Sequence, residues 1–141
     1  AVALRMAEAG EGSIINVASV AAFFPMPGNY SATKRYLIAF SESLHIELAS
    51  RGVRVQALCP GMTRTDFHSR MGAEGEKIQQ RYFLGWMQPE KVVQLSLRHL
   101  GNGRVIYTPG IVNKFLVYFL SRMPRRLYYK VISRIPQGTG E

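Results

Sequence analysis

Residues 13–34 read SIINVASVAAFFPMPGNYSATK, and they decide the fold. The first seven, Ser13-Ile14-Ile15-Asn16-Val17-Ala18-Ser19, form a short run rich in β-branched and apolar residues. Gly10 and Gly12 supply a turn ahead of it, because glycine accepts the positive φ that ends helices. A run this short, bounded by turn signals, predicts a buried parallel strand. Residues 23–29, FFPMPGN, hold two prolines and a glycine and read as a loop. Residues 30–50 then read as one long helix. In it Leu37, Phe40, Leu44 and Leu48 recur at helical spacing and form the expected buried stripe.

Working outward, Arg51-Gly52 closes that helix with a cation and a glycine. Val53-Arg54-Val55-Gln56-Ala57-Leu58-Cys59 predicts a second strand, which Pro60-Gly61 stops. Residues 64–88 are less regular, with large apolar side chains among polar ones. Pro89 suits the first turn of a helix running through Leu100. Gly101 and Gly103 end that helix. Residues 104–108 predict a third strand, and residues 111–135 two short helices divided by Pro124. Upstream, residues 1–9 are good helix formers. The chain lacks an initial Met and starts inside an element, so it is expected to be a C-terminal fragment of a larger domain. Alternating helices and strands predict an α/β fold with a parallel sheet. Right-handed crossovers make the three strands neighbours. The first strand then leaves an apolar edge that a complete doubly wound sheet would cover with further strands.

At 141 residues and 47% apolar, the chain suits a single domain, here a partial one spanning 1–141, and excludes a disordered class. One cysteine, Cys59, forbids an internal disulfide and fits a reducing compartment. The first ten residues lack the features of a signal peptide, and a cytoplasmic location is expected. No apolar run is long enough to span a bilayer. His45, His68 and His99 show no ligand spacing, so no metal site is expected. Cys59 reads as a small buried hydrophobe.

Ligands of parallel α/β sheets bind outside the carboxyl ends of the strands, where the chemistry-bearing residues fall. Ser19 ends the first strand. Tyr30 and Lys34 lie on the first turns of the helix that follows, four apart and so on one face. Pro60-Gly61 ends the second strand. A free phenol has a pKa of about 10, and a nearby ammonium favours the phenolate. A tyrosine tuned this way can exchange a proton with a carbonyl or alcohol oxygen. Ser19 can hydrogen-bond the same oxygen. A hydride must come from a cofactor, because no side chain supplies one.

The stretch SIINVASVAAFFPMPGNYSATK, the long helix and then VRVQALCPGMTRTDF resemble the central part of the short-chain dehydrogenases/reductases. The likeness is clear over residues 10–67 and weaker to about 110. It implies a Rossmann-like doubly wound fold and an oxidoreductase moving a hydride between NAD or NADP and a carbonyl or alcohol substrate. In that family Ser19 would orient the substrate oxygen and Tyr30 would be the acid/base. Lys34 would bond the nicotinamide ribose and favour the Tyr30 phenolate. Pro60, Gly61, Thr63 and Thr65 would hold the nicotinamide and pyrophosphate side of the cofactor. The family's Gly-rich phosphate loop, its NAD/NADP-selecting residue and its catalytic Asn would precede Ala1. Ser19 and Tyr30 stand a residue or two closer than in most members, so the loop FFPMPGN is shortened. The resemblance also implies homo-oligomers packed through the long helix. It likens residues 67–87 to a mobile lid, which would suit a bulky apolar substrate. Core packing is the alternative for those residues.

The net charge of +9 is unevenly placed. Residues 1–90 hold nine Lys/Arg against eight Asp/Glu, and residues 91–141 hold nine against one. Residues 111–141 read as basic amphipathic helices. Their mix of aromatic, aliphatic and cationic residues suits peripheral contact with an anionic membrane. The plainer reading is a pair of helices covering the sheet. No nucleic-acid module is recognisable, so nucleic acid is not an expected partner. Against the enzyme stands one alternative, an inactive fragment or binding protein acting through its basic tail. A serine hydrolase would need a Gly-x-Ser-x-Gly elbow, which is absent.

Overall fold

The computed structural model describes residues 2–26, 28–63 and 86–133. Thr65, His68 and most of the lid-like stretch lie outside them. In chain order the elements are α1 (Val2–Ala9), β1 (Gly12–Val17), a 3-10 turn (Val20–Phe23), α2 (Tyr30–Leu48) and β2 (Val53–Leu58). After these come α3 (Pro89–His99), β3 (Ile106–Tyr107), α4 (Ile111–Arg122) and α5 (Arg125–Ile132). The strands form one parallel sheet in the order β1-β2-β3. β1 pairs with β2 from Gly12↔Val53 to Val17↔Leu58. β3 is shorter than the sequence suggests, though Val105 O still accepts from Ala57 N and Tyr107 O from Cys59 N.

The alternation of side chains along β2 builds the layers. Val53, Val55, Ala57 and Cys59 point to one face, where they pack with α1 and α2 through Ala7, Ile38 and Leu48. Leu58 points to the other face and packs with Val92 of α3. Gln56 shares that face and is fully buried. It donates to Ser96 O at 3.3 Å and accepts from Ser96 Oγ at 2.5 Å, which satisfies a polar group that would otherwise be costly there. α1 and α2 therefore cover one side of the sheet and α3 the other.

The buried stripe of α2 differs from the expected one. Leu48 is buried and Leu37 and Leu44 are partly buried, but Phe40 is 41% exposed and stacks on Tyr36. Its place inward is taken by Ile38 and Ser41. Ser41 accepts from Asn16 Nδ2 of β1 at 2.9 Å and donates to Leu37 O at 2.7 Å. A count of apolar residues passes over this serine, because its partner on the strand makes it a core residue.

Gly52 ends the turn after α2 at φ 75°, and an added Cβ would lie 2.0 Å from the carbonyl oxygen of Gly10. The ends of α1 and α2 thus meet backbone to backbone. Gly52→Ala is expected to cost about 2–4 kcal/mol, from left-handed strain plus a clash that backbone cannot easily relieve. Gly103→Ala shares the positive φ but has open space around it. It should cost only about 1–2 kcal/mol. Urea unfolding of the two variants checks the difference.

Candidate active site

The rim at the carboxyl ends of β1 and β2 carries six of the seven residues singled out from the sequence, Thr65 lying outside the described residues. The ladder continues past the strands: Ala18 N donates to Leu58 O at 2.7 Å and Val20 N to Pro60 O at 3.0 Å. This pairing sets Ser19 beside the Pro60-Gly61 turn. Ser19 caps the 3-10 turn, its Oγ accepting from Ala21 N at 3.2 Å. A lone pair is engaged there, so the hydroxyl proton is the group it can offer a ligand.

α2 starts at Tyr30. Asn29 O receives both Thr33 N and Thr33 Oγ1, which fixes the first turn. One turn on, Lys34 Nζ donates to Val17 O, the last carbonyl of β1, at 2.9 Å. The same amine lies 5.7 Å from the centroid of the Tyr30 ring. Tyr30 is 52% exposed. The strand tip thereby ties down the cation while the phenol stays open to a ligand. Ser19 and Tyr30 share no hydrogen bond among the described residues. The 3-10 turn between them packs on α2.

Thr63 Oγ1 donates to Gly61 O at 3.2 Å, and Thr63 forms a parallel bridge with Met87. Gly61 has a packing role that its place in the sequence does not reveal. An added Cβ would meet Asn113 Oδ1 at 2.2 Å. Asn113 is buried on the first turn of α4 and donates to Pro109 O at 2.9 Å. Asn113 and Gly61 therefore determine each other's space. The one signal for Asn113 was a lone amide inside an apolar helical run. Tyr128 of α5 gave no signal at all. It is buried, its hydroxyl donates to Pro25 O at 2.5 Å, and its ring lies 6.5 Å from Phe24. Together with Ser31 Oγ, which accepts from Met26 N at 3.1 Å, it holds the loop leading into Tyr30.

Cys59 lies fully buried beneath Ser19. Burial pushes its thiol up to about 12, and the facing Ser19 backbone N–H only partly opposes this. A thiol so raised is no nucleophile at neutral pH. The native protein is expected to leave Cys59 unreacted with an aromatic disulfide reagent at pH 8 and to expose it on unfolding. The folded value lies above the unfolded one, so the neutral thiol's contribution is intact below pH 9. It is lost as pH rises from 9 towards 12, by about 1.4 kcal/mol per unit. Cys59→Ala should flatten that alkaline slope in urea titrations.

Residues 1–75 match the family model described as short chain dehydrogenase. The chain belongs to this family. It is 45% identical over 94 residues to a 3-oxoacyl-[acyl-carrier-protein] reductase of a Synechocystis species, covering 65% of this chain and 38% of that protein. Among solved structures it is similar to a short-chain dehydrogenase of Sphingobium yanoikuyae in complex with NADPH. That likeness has a TM-score of 0.67 and 26% identity over 99% of this chain and 52% of that one. It is also similar to the bulky-bulky ketone specific alcohol dehydrogenase of Comamonas testosteroni. Here the TM-score is 0.60 and the identity 26%, over 99% of this chain and 49% of that one. The chain spans about half the length of these solved relatives, and less of the reductase. The three-stranded parallel sheet with helices on both faces is the corresponding part of their Rossmann fold.

Proposed function

We propose that this chain forms the catalytic part of an NAD(P)-dependent oxidoreductase acting on carbonyl and alcohol substrates. The observation that carries the reading is the Lys34 amine, held by Val17 O beside the open Tyr30 phenol. The likenesses to an NADPH-bound dehydrogenase and a ketone-specific enzyme support it.

The residues present fit the nicotinamide end of such a cofactor. An ammonium and a phenol stand at the rim, beside the Pro60-Gly61 turn against which Asn113 packs. Lys34 would bond the ribose hydroxyls, with Tyr30 beside it. Pro60, Gly61 and Thr63 would flank the nicotinamide, and Thr65 would complete this wall. When bound, the cofactor supplies the hydride. Tyr30 Oη would give its proton to the carbonyl oxygen during reduction and take it from the alcohol during oxidation. Ser19 Oγ would donate a hydrogen bond to the same oxygen and hold it within reach of Tyr30. Lys34 would steady the charge on Tyr30 as the proton moves.

The substrate is proposed to be bulky and apolar, in keeping with the large side chains between Phe67 and Met87 and with the ketone-specific relative. Homo-oligomers through α2 belong to the same reading, since Tyr36, Phe40 and Ile46 leave an apolar face outward there. The test is oxidation of reduced nicotinamide on adding ketones of increasing size. Bulky ketones should turn over faster than short ones. The assay uses a protein in which this chain is joined to the rest of the family fold, and such a folded protein that consumed neither NADH nor NADPH with any ketone would refute the proposal.

A further inference from the structure

We propose that α4 and α5 dock on an anionic lipid surface. Among the described residues, each helix has one buried side chain and leaves most of the rest outward. On α4 the buried residue is Asn113, and on α5 it is Tyr128. Outward on α4 stand Ile111 (71% exposed), Phe115, Tyr118 and Phe119 (64% exposed). Ile111, Phe115 and Tyr118 follow one another at helical spacing, as do Phe115 and Phe119, so they share a stripe. Leu127 and Tyr129 continue the outward apolar surface on α5. Large aromatic side chains held out in water are costly in an isolated protein and favourable at the headgroup level of a bilayer.

Charge selects the occupant. Residues 91–140 contain no Asp or Glu and nine Lys/Arg. Five of these cations, Lys114, Arg122, Arg125, Arg126 and Lys130, are exposed on the two helices. The Arg122 guanidinium lies 3.8 Å from the Tyr118 ring centroid, which keeps a cation beside the aromatic stripe. A second copy of this chain would bring the same positive charge to the contact, and like charges facing each other oppose that pairing. An interfacial surface needs aromatic and aliphatic residues among Lys/Arg, and a negative layer to meet them. No described helix is long and apolar enough to cross a membrane. The contact is therefore one of lying on the surface. It does not rest on the oxidoreductase reading, and a protein inactive on every ketone would still show it.

The experiment is co-sedimentation of the protein with vesicles of phosphatidylcholine alone and of phosphatidylcholine with phosphatidylserine. The protein should pellet with the anionic vesicles and stay in solution with the neutral ones. Raising NaCl from about 50 to about 500 mM should weaken binding at least about tenfold, because exposed charges are screened. Two double variants, Phe115→Ser with Phe119→Ser and Arg125→Glu with Arg126→Glu, should each lose at least about tenfold in affinity. Circular dichroism would confirm that both remain folded, as these side chains are exposed. A folded protein that stays in solution with anionic vesicles, or that pellets equally with neutral ones, overturns the proposal. So does a protein that binds duplex DNA but no vesicle. So does a dimer that binds no vesicle and that the Phe115/Phe119 variant splits, since the surface then belongs to a second copy.

Discussion

Replacing Tyr30 by Phe is expected to lower kcat for ketone reduction by about 100- to 10,000-fold while leaving cofactor affinity and stability close to the original. The change removes only the phenolic hydroxyl. The ring is half exposed, so no buried cavity opens and no buried partner is stranded. Lys34 keeps its bond to Val17 O, so the groups proposed to face the ribose stay in place. The loss falls on the proton transfer alone, and the KM for the nicotinamide should move less than about threefold. The measurement requires a protein in which this chain is joined to the rest of the family fold that its relatives carry. A Phe variant retaining more than about a third of the original kcat would mean that the proton comes from elsewhere.

Lys34→Met is expected to damage both steps. It should lower kcat/KM at least about 100-fold and raise the KM for the nicotinamide as well. Methionine preserves most of the apolar stem and deletes the ammonium. The Val17 carbonyl then loses its donor at 2.9 Å, and the Tyr30 ring loses the cation 5.7 Å from its centroid. The bond is solvent-exposed, so water can replace the lost donor and stability should fall by less than about 1 kcal/mol. Arginine should rescue poorly, since a planar fork cannot place one nitrogen where the compact ammonium stands. Steady-state kinetics with nicotinamide varied separates the two variants. Tyr30→Phe changes kcat alone, and Lys34→Met changes kcat and the cofactor KM together. If Lys34→Met left the cofactor KM unchanged, the ribose role assigned to that amine would be wrong.

Much of this architecture is legible in the residues because its signals are local. Gly52, Pro60-Gly61, Pro89 and Pro124 mark element ends by backbone chemistry, and the helices and strands start and stop near them. Tyr30 and Lys34 share a face because they stand one turn apart in a helix. What escaped the sequence depends on partners far along the chain. Ser41 is a core residue because Asn16 meets it, 25 positions away. Gln56 is tolerated inside because Ser96 answers both ends of its amide. In the described part of the tail, Asn113 and Tyr128 are buried against the rest of the fold while cationic and aromatic side chains stand outward. Neither half of that division can be read from helical periodicity, since α4 is apolar nearly all round.

The Tyr128–Pro25 hydrogen bond joins positions 103 residues apart and makes the entry to α2 common property of both ends of the chain. The two regions are thermodynamically linked through that hydrogen bond and the neighbouring Phe24–Tyr128 ring contact. Any ligand of α5 that strengthens or loosens them changes the energy of the segment leading into Tyr30. By reciprocity, an occupant beside Tyr30 that favours one arrangement of that segment alters the affinity of α5 for its own ligand by the same factor.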